Sequence, residues 1–144
     1  MNTNKESQNS TFEASQENKK DTTMNSKLIK FETQEGNLHY QGVLDVDAQE
    51  LANLTDQVVL IDVRQPEEFT GELGHIPGAN LIVLDTLAEH LDEIPKDQTV
   101  VFVCRSGGRS ARAAAYAMEQ GYQNVYNLKG GMILWNELHL ETEI

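Results

Sequence analysis

Hydrophobic and polar positions alternate along this chain with two different periods, and their order predicts a layered α/β fold. Val58-Val59-Leu60-Ile61-Asp62-Val63 and Thr99-Val100-Val101-Phe102-Val103 are short apolar runs rich in β-branched residues. Such runs suit strands covered on both faces, as in a parallel sheet. Asn80–Val83 and Val125–Leu128 read as two further short strands, and Lys27–Phe31, which alternates polar and apolar, as a short edge strand. Helical spacing fills the intervals. One helix is expected to begin near Asp45 or Asp47 and carry Leu51 and Leu54. Pro66-Glu67-Glu68 is a second start, because proline suits a first turn and carboxylates favour the positive end of the helix dipole; Gly71 and Gly74 keep that helix short. Asp85–Ile94 reads as one helix stopped by Pro95, with Leu84, Leu87, Leu91 and Ile94 at near-helical spacing. An alanine-rich helix runs from about Arg109 to Gln120, with Gly121 suited to its C-terminal cap. Met132 to about Leu140 is the last helix, and Gly36-Asn37 is expected to be a turn. Strands alternate with helices and no hairpin signal stands in the centre, which implies a parallel sheet with helices on both faces, three layers in all.

Composition sets the bounds. The first 26 residues are rich in Asn, Ser, Thr, Gln, Glu and Lys, with Phe12 as their only aromatic. Such a segment buries too little apolar surface to offset about 1–2 kcal/mol of backbone ordering per residue. Residues 1–26 are therefore expected to form a disordered tail and residues 27–144 a single domain. No apolar run reaches the length of a signal sequence or of a membrane span, and the one cysteine excludes an internal disulfide. A soluble protein of a reducing cytoplasm is the expectation. The net charge of −12 argues against nucleic-acid binding, which needs a basic face. From Lys27 onward eight Lys and Arg stand against nineteen Asp and Glu, yet Arg105, Arg109 and Arg112 cluster next to the cysteine.

That cysteine ends a strand. Cys104-Arg105-Ser106-Gly107-Gly108-Arg109-Ser110 joins the run Thr99–Val103 to the alanine-rich helix. In open α/β sheets ligands bind at the carboxyl ends of strands. The two glycines let the chain curl so that backbone N–H groups face inward at a helix N-terminus, which is a cradle for an anion. Helix N-termini and neighbouring arginines lower thiol pKa values from about 8.5 to roughly 3.5–7.5. An ionised, nucleophilic sulfur is thus expected at neutral pH. A lone cysteine at the end of a buried strand is otherwise an inert small hydrophobe; the glycines and arginines beside it favour the reactive reading.

Four motifs in order, L-I-D-V-R-Q-P-E-E-F (Leu60–Phe69), G-H-I-P-G-A (Gly74–Ala79), V-C-R-S-G-G-R-S (Val103–Ser110) and N-V-Y-N-L-K-G-G-M-I-L-W (Asn124–Trp135), resemble those of the rhodanese-like family of single-domain sulfurtransferases. The similarity runs from about Leu44 to Trp135. It implies a central five-stranded, mainly parallel sheet flanked by helices. It also implies transfer of a sulfane sulfur from a donor such as thiosulfate onto Cys104 as a persulfide, then to cyanide, a small thiol or a thioredoxin-like acceptor. Arg105, Ser106, Gly107, Gly108, Arg109 and Ser110 would surround the bound donor, with no metal or organic cofactor. A monomer is the separate expectation. Cysteine-based phosphatases of similar fold place five residues between Cys and Arg. Here four separate Cys104 from Arg109, and Ser110 stands where that arginine would be, so the shorter loop goes with sulfur transfer. With no second cysteine to resolve a persulfide, the acceptor must come from outside. A sulfur-relay or sensor module serving a protein partner is the alternative to an enzyme.

The remaining candidates have plainer readings. Asp62 and Arg64 are expected to form a structural ion pair, His75 to orient its loop through a hydrogen bond, and Trp135 to lie in the core. His39, His90 and His139 are too scattered for a metal site. Lys129 reads as a solvated turn residue, and Glu67, Glu68, Glu72, Asp92 and Glu93 as a solvated acidic surface. Small residues at Ser106 and Gly107 imply an open, shallow site.

Overall fold

The computed structural model describes residues 28–144; the expected tail, residues 1–26, lies outside them. Its strands are β1 (Glu35–Gly36), β2 (Leu44–Val46), β3 (Val59–Asp62), β4 (Asn80–Leu81), β5 (Val100–Val103) and β6 (Val125–Leu128). Its helices are α1 (Ala48–Ala52), α2 (Pro66–Phe69), α3 (Leu87–His90), α4 (Gly108–Glu119) and α5 (Gly131–Glu137). The strands form one sheet in the order β1-β2-β6-β5-β3-β4. The five from β2 to β4 are parallel, as expected, and a sixth, β1, adds an antiparallel edge.

Alternate residues of each central strand feed opposite cores, as the pleat requires. Val59, Ile61, Val100, Phe102 and Val125 face α4, whose Ala113, Ala114 and Ala117 let the helix lie close to the sheet. Leu60, Val101, Val103 and Leu128 face the other way, onto Ala48 and Leu51 of α1 and Met132 and Trp135 of α5. Trp135 is 1% exposed and donates its indole N–H to the carbonyl of Glu141 at 2.8 Å, so its one polar atom is satisfied inside the core.

Several elements differ from the sequence expectation. Residues 28–31 form no strand: Ile29 donates its N–H to the Thr99 hydroxyl, and Phe31 is buried edge-on to Tyr126, ring centroids 5.0 Å apart. The segment is thus anchored to the core by one hydrogen bond and one ring rather than by a ladder. Gly36, expected in a turn, lies in β1. The turn begins at Asn37, whose side-chain oxygen accepts the N–H groups of His39 and Tyr40. Asp85–Ile94 is not one helix but α3 between two 3-10 turns, Leu84–Thr86 and Leu91–Glu93. The three-residue steps Leu84–Leu87 and Leu91–Ile94 match three residues per turn, which is 3-10 geometry. The strand read over Asn80–Val83 pairs only at Asn80 and Leu81, and α5 closes at Glu137. α1 begins as expected, with the Asp47 side chain accepting the N–H of Glu50.

Candidate active site

β5 delivers Cys104 to the carboxyl edge of the sheet, and the next residues fold around its sulfur. Gly107 holds φ at 104° at the N-terminal cap of α4, a conformation that side chains oppose. That geometry points its N–H at Cys104 Sγ, 3.1 Å away. The N–H of Ser110 lies at 3.3 Å and its hydroxyl at 3.2 Å from the same sulfur. The first N–H groups of a helix have no partner within it; here the sulfur takes two amides at the start of α4. Cys104 is 1% exposed, so the sulfur lies beneath the loop rather than on the open surface expected from its small residues.

The loop is held from below by the start of α5. Met132 N–H and Ile133 N–H donate to the carbonyls of Cys104 and Arg105 at 2.9 and 3.0 Å. So close an approach leaves no room at Gly131, where a Cβ would meet Arg105 O at 2.4 Å. On the α4 side of the sheet, the in-register pair Asp45 and Asn127 gives the end of the core a polar character. Asn127 Nδ2 donates to Asp45 Oδ1 at 2.9 Å, and its Oδ1 lies 2.5 Å from Ser110 Oγ.

A second frame fixes the arginines. Arg64 and Asp62 are both buried, joined by Nε to Oδ1 at 2.9 Å and Nη2 to Oδ2 at 2.8 Å. Arg64 also donates to the carbonyls of Glu68 and Gly74, so it ties the end of β3 to α2 and to the turn beyond it. His75 stacks on Phe69, ring centroids 3.7 Å apart, and its Nδ1 lies 2.8 Å from the Phe69 carbonyl. So anchored, α2 presents Glu68, whose two oxygens each accept from Arg109 at 2.8 Å. The hydrogen bonds from Arg109 hold the Glu68 carboxyl at about 2, well below its ordinary value of 4.5; burial opposes this, and the N–H of Gln65 supports it. In turn, the hydrogen bonds to Glu68 raise the Arg109 guanidinium above its ordinary value. Between α2 and the loop lies a cleft of about 250 Å³, lined by Arg64, Glu67, Glu68, Gly71, Glu72, Leu73 and Arg105. It adjoins the loop through Arg105 and does not include Cys104.

The Rhodanese-like domain family matches residues 47–138. This chain belongs to that family. A sulfurtransferase of Allochromatium vinosum is 43% identical over 96 residues, 65% of this chain and 88% of that protein. The thiosulfate sulfurtransferase GlpE of Pseudoalteromonas translucida is 35% identical over 86 residues, 60% of this chain and 80% of that one. Among solved structures, a rhodanese-like domain protein from Staphylococcus aureus superposes with a TM-score of 0.60 at 33% identity, covering 69% of this chain and 98% of that one.

Within this rhodanese-like loop the expected residues fall into three groups. Gly107 and Ser110 touch Cys104 Sγ directly. Arg105, Ser106 and Gly108 are exposed on the outer side, and Arg112 is exposed along α4. Arg109 is not a free anion ligand, because Glu68 occupies both of its terminal nitrogens. Glu68, read as surface solvation, is therefore part of the site's frame, and Lys129, read as solvated, pairs with Glu35. The ion pair of Asp62 with Arg64 and the orienting role of His75 are as expected. Asp45, Asn127 and Gly131 were missed as site residues. The available signals were an amide in the otherwise apolar run Val125–Leu128 and the paired glycines after Lys129. Among the described residues no group of three or more His, Cys, Asp or Glu could hold a metal ion, and no helix is long and apolar enough to cross a membrane.

Proposed function

We propose that this chain is a sulfurtransferase that carries a sulfane sulfur on Cys104. The observation that carries the reading is the placement of Cys104 Sγ against the N–H groups of Gly107 and Ser110 at the start of α4. Amides arranged there stabilise an anionic sulfur without ordering cost at the moment of reaction. Family membership and the sulfurtransferase names of its relatives support the same class.

Thiosulfate, or another small anionic persulfide donor, is the proposed source. The Cys104 thiolate attacks the outer sulfur, the sulfur–sulfur bond of the donor breaks, and sulfite leaves with the electron pair. Cyanide, a small thiol or a thioredoxin-like protein then attacks the outer sulfur of the Cys104 persulfide and releases the thiolate. Arg105, at the edge of the cleft, supplies positive charge toward the incoming donor. Arg109, with Glu68, holds the first turn of α4 in place. Ser106 and Gly108 complete the outer wall of the donor site.

Intact-mass measurement after incubation with thiosulfate tests this directly. The expected result is a gain of one sulfur atom, lost on cyanide addition with stoichiometric thiocyanate, and absent in Cys104→Ser. Charging without turnover on cyanide or small thiols would replace the enzyme by a sulfur relay to a protein partner. No charging by any persulfide donor would overturn both.

A further inference from the structure

A row of polar side chains runs from Cys104 into the interior and has no part in the sulfur-transfer steps above. Ser110 is fully buried, Asn127 2% exposed and Asp45 8% exposed. The direction of each hydrogen bond in the row follows from its outer end. Asn37 Oδ1 accepts the N–H groups of His39 and Tyr40 at 2.8 and 2.9 Å, which turns its amide nitrogen toward Asp45 Oδ1 at 2.9 Å. A carboxyl oxygen that already accepts one N–H offers its other neighbours only a lone pair. Asn127 must therefore also present its NH2 to Asp45 Oδ1, at 2.9 Å, and its carbonyl oxygen is left facing Ser110. Ser110 has one hydroxyl hydrogen and two acceptors within reach, Asn127 Oδ1 at 2.5 Å and Cys104 Sγ at 3.2 Å. Two oxygens at the shorter distance repel unless the hydrogen lies between them.

We infer that Asp45 and Asn127 are positioning residues that hold the Ser110 hydroxyl hydrogen away from Cys104 Sγ. The thiolate then rests on two backbone N–H groups alone. A thiolate that is stabilised less is intrinsically more nucleophilic, so the row keeps the sulfur reactive while the amides keep it in place. The charged groups around Cys104 are Arg105 and Arg109 on its own loop and helix, Glu68 of α2 through Arg109, the Asp62–Arg64 pair at the end of β3, and Asp45 through the row. The inference takes Cys104 as the reacting thiol and so rests on the proposed function.

Its test titrates Cys104 by ultraviolet thiolate absorbance and by the pH dependence of iodoacetamide alkylation, in the wild type, Asn127→Leu, Ser110→Ala and the double variant. Leucine at position 127 removes the competing acceptor and leaves the Ser110 hydroxyl hydrogen only the sulfur to meet. Asn127→Leu is expected to raise the acid dissociation constant of the thiol about tenfold, the reach of one hydrogen bond to a charged group. In the Ser110→Ala background the same change should be below about threefold. Effects of the leucine that do not pass through the hydroxyl act in both backgrounds, so the cycle isolates the hydroxyl. Ser110→Ala alone is expected not to weaken the acid. Equal shifts in both backgrounds, no shift at all, or a tenfold weaker acid in Ser110→Ala would each overturn the inference. Should Asn127→Leu not fold, Asn127→Ala removes the same acceptor and is read by the same criteria. No sulfur donor enters the titration, so it can fail while the persulfide assay succeeds, and the reverse.

Discussion

Replacing Glu68 by glutamine tests whether the Arg109 pair holds the cysteine loop to the rest of the domain. Glu68 accepts two hydrogen bonds from Arg109 and one from the backbone of Gln65. Glutamine keeps one acceptor and loses the charge. The side chains of Arg109 and Glu68 are 37% and 28% exposed, so water screens the pair. Its contribution is therefore discounted to about 1 kcal/mol, the upper end for exposed pairs. For a domain of this size that corresponds to a melting temperature about 3–5 °C lower in Glu68→Gln at pH 7. The pH dependence carries the sharper signature. The Glu68 carboxyl ionises at about 2 in the folded chain against an ordinary 4.5. A depressed folded value means the stabilisation is full above about 4.5 and is lost as pH falls toward 2. The gap in melting temperature between wild type and variant, followed by near-ultraviolet circular dichroism, should stay constant from neutral pH down to the ordinary value. Below it the gap should shrink, with more than half of it gone about 1.5 units lower. A gap of the same size at both ends of that range, or none at pH 7, would refute the assignment of Glu68 to the frame.

Three further outcomes follow from the same geometry. Arg64→Ala leaves Asp62 buried without its partner and is expected to cost about 3–5 kcal/mol in urea unfolding; a loss below about 1 kcal/mol would mean that Asp62 finds another partner. Gly131→Ala places a Cβ 2.4 Å from Arg105 O at a φ of 58°, so the loop must shift, and persulfide formation on Cys104 should fall at least tenfold even if the protein folds. Arg105→Ala is expected to raise the KM for thiosulfate by up to about fivefold with kcat nearly unchanged, since one exposed charge is worth at most about 1 kcal/mol; an unchanged KM would remove Arg105 from the donor site.

The layered α/β architecture is legible in local patterns alone, because strand and helix periodicity are properties of neighbouring residues. The parallel runs Val58–Val63 and Thr99–Val103, the short helix at Pro66 and the alanine face of α4 all lie where their local patterns place them. The loop Cys104–Ser110 was legible for the same reason: a strand end, two glycines and a helix start are contiguous. What tertiary structure alone decided is which side chains converge on that loop. Glu68 meets Arg109 across 41 positions, and Asn127 meets Asp45 across 82. A glutamate on a short exposed helix looks solvated until the crossover of the sheet carries it to a guanidinium. Likewise an aspartate near a helix start looks like a cap until parallel pairing of β2 with β6 sets it beside an asparagine. Periodicity identifies the face a residue occupies, whereas strand order and register choose its partner. In this protein those partners determine how the arginine and the serine around Cys104 spend their hydrogen bonds.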